Sequence, residues 1–111
     1  MKVSFNGYDE SVITFVADRT LTEAGQLVKI VDDGTVGRCD VGDTFCGICV
    51  AIRDGYAAVQ LSGYVVAQSK NKVQLGYQNL VAGEDGSVIA RPHGRDYLVV
   101  HSGNGEVGFI L

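Results

Sequence analysis

The residues with the most chemistry to offer are three cysteines: Cys46 and Cys49 form a C-x-x-C, and Cys39 lies seven residues earlier. Thiolates at that spacing hold zinc when a turn lets both converge on one ion. At a helix N-terminus the same pair does redox chemistry, because the helix lowers a thiol pKa. Neither setting is expected here. Residues 45–52 (FCGICVAI) are an almost unbroken apolar run, and no helix pattern follows. In a strand, positions i and i+3 point to opposite faces, so a shared metal would need a bulge at Gly47. No second C-x-x-C or H-x-x-x-H completes four ligands. Buried cysteines acting as small hydrophobes are the expectation. A zinc- or thiol-dependent enzyme built on Cys39, Cys46 and Cys49 is the alternative.

Gly103-Asn104-Gly105-Glu106-Val107-Gly108 spells G-x-G-x-x-G. A dinucleotide site needs a helix after those glycines, and three residues after Gly108 leave no space for one. His93 and His101 are candidate bases, and Ser69 and Ser102 candidate nucleophiles, but no G-x-S-x-G elbow is present. The pairs Asp9/Glu10, Asp32/Asp33 and Glu84/Asp85 fall among turn residues, where carboxylates serve turn geometry and solubility. The expectation is a non-enzyme with no catalytic residue, cofactor or bound metal.

The elements that would position such residues are short strands. The chain has 111 residues, fifteen glycines and one proline, about twice the usual glycine share of ~7%. Apolar and β-branched runs recur at 11–17, 26–31, 35–39, 45–52, 56–62, 64–67, 73–75, 79–82, 87–90, 97–101 and 107–111. Turn residues separate them at roughly 8–12-residue intervals, the pattern of a β-barrel or sandwich. The strongest unit is a hairpin over 45–68, turning at Asp54-Gly55, with Gly63 marking a bend in the returning strand. The prediction is an all-β, single-domain barrel or sandwich with negligible helix over 11–111, preceded by an arm or edge strand over 1–10.

A net charge of −4 without clustered Lys or Arg argues against nucleic-acid binding. No apolar run approaches the ~20 residues of a membrane span. The first ten residues lack the features of a secretory signal. With that, an odd cysteine count implies reduced thiols in a cytoplasm.

Over residues 24–111 the chain resembles the small decoration (capsid cement) proteins of tailed bacteriophages. The resemblance rests on AGQLVKI (24–30), GDTFCGICVAI (42–52), AAVQLSGYV (57–65), GYQNLVAGEDGSV (76–88) and the closing VGFIL (107–111). It implies a small β-rich structural protein that binds the outside of an expanded capsid, often as a homotrimer, and stabilises it. The partner would be the major capsid protein, and the location the virion exterior after synthesis in a bacterial cytoplasm. Apolar and aromatic residues in the first ten positions suit strand addition to a neighbouring sheet edge. Val3, Phe5 and Tyr8 are therefore the expected partner contacts, with the outer loops.

A second alternative is a biotinyl or lipoyl carrier-like β domain, whose modified lysine sits at the tip of a tight hairpin. Lys70 and Lys72 are its only candidates, and they lack the flanking methionines of a biotinyl site.

Overall fold

Alternating apolar residues between glycine-rich turns fold into two β layers that share one continuous strand path. The computed structural model describes residues 10–111. Five strands close a barrel: β1 (Ser11–Ala17), β2 (Leu27–Asp32), β3 (Thr35–Arg38), β4 (Gly47–Arg53) and β5 (Tyr56–Ser62). Their order is β1-β3-β2-β4-β5, and β1 closes on β5. The β1–β3 pairing is parallel and the others antiparallel. The remaining five strands form a second sheet: β6 (Tyr64–Gln68), β7 (Gly76–Ala82), β8 (Val88–Ala90), β9 (Arg95–Gly103) and β10 (Glu106–Ile110). Their order is β6-β10-β9-β7-β8, with one 3-10 turn at Glu84–Gly86. The all-β expectation is met, by a closed barrel carrying an additional sheet.

Gly63 is where the chain leaves one layer for the other. It separates β5 in the barrel from β6 in the sheet and has a φ of +95°, a left-handed value costly for a residue with a Cβ. Its carbonyl accepts a hydrogen bond from the Leu111 amide at 2.9 Å, tying the corner to the last residue. The other anchor is a strap over residues 40–46. Gly42 N–H donates to the Ala82 carbonyl at 2.8 Å, and Ala82 N–H donates to that of Asp43 at 2.9 Å. Lys29 of β2 donates to the Asp43 carboxylate at 2.6 Å, so barrel, strap and β7 meet at one point.

Each layer has its own apolar cluster. The barrel packs Leu21, Val28, Val36, Cys49, Ala57 and Val59. The sheet packs Leu80, Val99, Val107 and Phe109 against Leu27 of the barrel and Phe45 of the strap. Phe45, Tyr97 and Phe109 form an aromatic trio: Phe45 and Tyr97 stack with centroids 5.0 Å apart, and Phe109 meets Tyr97 edge-on at 5.2 Å. Such pairs contribute about 0.5–1.5 kcal/mol each beyond area burial.

Several expected boundaries move. Residues 73–75 are not a strand. Val73 drops into the core while Leu75 is 62% exposed, and Gly76 turns the chain with a φ of +93° before β7 begins. Gln26 stays outside β2 because its side-chain oxygen accepts the amides of Thr22 and Glu23, at 2.9 and 3.2 Å. Phe45 and Cys46 precede β4 and belong to the strap. The run expected over 97–101 starts earlier, since Arg95 and Asp96 begin β9.

Candidate functional site

Among the described residues the three cysteines do not gather into one metal-holding group. Cys46 lies one residue before β4, its amide donating to the Val28 carbonyl at 2.9 Å, so the opposite-face argument for a strand pair does not describe it. Cys46 and Cys49 both pack on the barrel cluster, whereas Cys39 packs on that of the sheet. All three are free thiols. Among the described residues no group of three His, Cys, Asp or Glu side chains is placed to hold a metal ion. Burial pushes the Cys39 thiol up to about 12, with the Asp43 carboxylate adding to the rise, and burial also raises Cys46 and Cys49. Thiols held protonated in this way are poor nucleophiles and poor ligands.

The G-x-G-x-x-G segment is a hairpin. Asn104 and Gly105, with φ of +55° and +76°, form the two-residue turn between β9 and β10. Gly108 serves close packing: a Cβ there would collide with the Tyr64 hydroxyl. His101 faces Glu106 across this hairpin at 3.9 Å. His93 lies in the 91–94 loop, 3.4 Å from the Gly42 carbonyl. Ser69 is buried and donates to the Asn71 carbonyl at 2.5 Å. Lys70 and Lys72 are not on a hairpin, because β6 and β7 are not neighbours in the sheet. Lys70 instead reaches Glu84 at 3.2 Å. Val3, Phe5 and Tyr8 lie outside the described residues.

What does gather is an apolar surface on the outer face of the second sheet. Register places Tyr77 opposite Leu98, Leu98 opposite Ile110, and Ile110 opposite Tyr64. Directly opposed residues share a face, so these four side chains form one row across β7, β9, β10 and β6. Tyr77 is 73% exposed, and Leu98 and Ile110 are half-buried. Val100 and Leu111 join the row along a shallow depression of about 580 Å³, with Arg95 and Asp96 at its rim. The Arg95 guanidinium lies 5.3 Å from the Tyr97 ring centroid, and Asp96 accepts from the Asn79 amide at 2.6 Å.

Reading for catalytic types passed over this row, but the sequence carries its signal. In Tyr97-Leu98-Val99-Val100 both alternating sets are apolar: Tyr97 and Val99 are buried, and Leu98 and Val100 lie outside. A strand wet on one face would alternate apolar with polar residues. Two apolar faces on one strand mean two surfaces to cover, and among the described residues only one is fully covered.

No protein-family model matches the chain, and neither does any curated protein or solved structure.

Proposed function

We propose that this chain is a structural virion protein that binds the outer surface of a tailed-phage capsid and stabilises it, as a homotrimer on the major capsid protein. The observation that carries this reading is the row Tyr64–Ile110–Leu98–Tyr77. Contiguous apolar surface on the outside of a soluble β sheet favours association, since it is otherwise wetted at a free-energy cost. Here a neighbouring copy covers it. The likeness of residues 24–111 to the decoration proteins supplies the remaining argument, and Val3, Phe5 and Tyr8 add contact to the shell.

A light-scattering measurement of the full-length chain, paired with Tyr77→Asp, tests the assembly step. The expected result is a mass about three times the 11.8 kDa chain mass for the wild type and a monomer for the variant. A wild-type monomer at every concentration would overturn the trimer.

A further inference from the structure

A second surface, separate from the apolar row, has the form of a strand acceptor. Among the described residues β6 is the edge strand of its sheet and pairs only with β10. Gly63 accepts from the Leu111 amide, and Ser69 donates to the Gly105 carbonyl, both at 2.9 Å. Those bonds fall on the β6–β10 register, so odd-numbered residues of β6 bond to β10. The amides and carbonyls of Val66 and Gln68 therefore point away from the sheet. Among the described residues no strand pairs with that side of β6.

A groove of about 670 Å³ runs along this edge. Val66, Ala67 and Gln68 all line it, although successive strand side chains point to opposite faces; only the strand edge itself touches all three. Residues 82–86 line it as well, and Glu84 among them is paired with Lys70 at 3.2 Å. Leu27 and Ile48 of the barrel give it an apolar lining. Acidic side chains outnumber basic ones in its lining: Glu23, Asp40, Glu84 and Asp85 against Arg38, with Lys29 3.8 Å from Asp40 and Lys70 3.2 Å from Glu84, so Glu23 and Asp85 carry the acidic character of the rim.

We infer that this groove receives an extended, basic segment of a partner polypeptide, which adds as a strand to the outer edge of β6. Main-chain bonds to Val66 and Gln68 hold the segment, alternate apolar side chains rest on Leu27 and Ile48, and its Lys or Arg residues face the acidic rim. This is β-augmentation, in which backbone pairing provides affinity and alternate side chains provide specificity. The inference rests on the shell-binding reading for the partner's identity, which makes the segment part of the capsid protein.

The test uses isotope-labelled full-length protein titrated with the blocked hexapeptide KVTVKV, followed by amide NMR. The expected result is perturbation centred on Val66 and Gln68, with their amide exchange slowed at least about tenfold on binding. The same peptide N-methylated at alternate residues should bind at least about tenfold more weakly, since it cannot form the ladder. EVTVEV should bind more weakly still, and Glu23→Gln/Asp85→Asn should weaken KVTVKV several-fold at low salt. Absence of binding at millimolar peptide, or perturbation elsewhere, would overturn the inference. So would protection of both amides before peptide is added. Concentration-independent protection would assign the edge to this chain's own first nine residues, and protection that grows with concentration to a second copy. Peptide failure with retained shell co-sedimentation removes the groove alone; peptide binding without shell association removes the shell reading and leaves the acceptor edge.

Discussion

The Tyr97 hydroxyl donates to the Phe45 carbonyl at 2.9 Å while the two rings stack with an interplanar angle of 1°. One residue comes from the middle of the second sheet and the other from the strap that leads into the barrel. The pair thus fastens the two layers by a buried hydrogen bond and an aromatic contact together. The apolar row of β7, β9, β10 and β6 is held on the other face of the sheet that Tyr97 anchors.

Replacing Tyr97 by Phe keeps the ring and removes the donor, leaving a buried carbonyl without its partner. The expected loss is about 1–3 kcal/mol, read from urea midpoints at constant m. Phe45→Ala should cost more, about 3–5 kcal/mol, because it also opens a cavity beside Tyr97 and Phe109. Burial pushes Tyr97 up to about 12, with the Arg95 charge opposing the rise. Its contribution is therefore complete below the ordinary tyrosine value near 10 and declines as pH rises toward about 12. Tyr97→Phe should flatten that alkaline loss.

The Lys29–Asp43 bond sets a matching limit in acid. Asp43 is held below its usual carboxylate value, first by the Lys29 hydrogen bond and then by the Asp40 amide. A depressed carboxylate stabilises above its unfolded value of 3.8 and loses that contribution as pH falls through the lower folded value. Lys29 is raised, first by the same hydrogen bond, so its contribution is full below 10.5 and is lost as pH rises through the folded value. Asp43→Asn should cost about 1 kcal/mol at neutral pH and make the decline below pH 4 shallower, as followed by urea titration across pH.

Gly63 should tolerate little. Alanine there must hold φ near +95°, so Gly63→Ala is expected to cost about 1–2 kcal/mol. Thermal unfolding followed by circular dichroism gives the shift. An unchanged midpoint would mean that the corner relaxes without strain.

How far the fold was legible follows from these particular residues. Asp54-Gly55 and Asn104-Gly105 are local turn signals, and both turns form where the residues demand them. Gly63 announced a bend, but not that the strand beyond it joins a different sheet, because sheet membership is decided by distant partners such as β10. The brief run 73–75 misled for the same reason: apolar residues there fill the core from an irregular segment that has no ladder partner. The cysteines were legible as packing groups, yet the assumption of one regular strand misplaced Cys46, since β4 begins only at Gly47, where a Cβ would meet the Gln60 carbonyl. The groove beside β6 joins residues from 23 to 86, and no local pattern could bring them together.

Thiol reactivity checks the burial of the cysteines. At pH 8, Ellman's reagent should react slowly with folded protein, the buried Cys49 slowest of all, and rapidly with three thiols per chain in denaturant. Fast reaction of Cys49 in the folded state would contradict its place in the barrel cluster.

The central proposal, binding to the exterior of a capsid, is most directly tested by co-sedimentation of the full-length chain with expanded, empty heads of a tailed phage. The account predicts saturable pelleting at a fixed ratio to the major capsid protein, reduced by deletion of residues 1–8 and by Tyr77→Asp, with the bound heads more resistant to heat. Protein that stays in the supernatant at every concentration, with head stability unchanged, would contradict it.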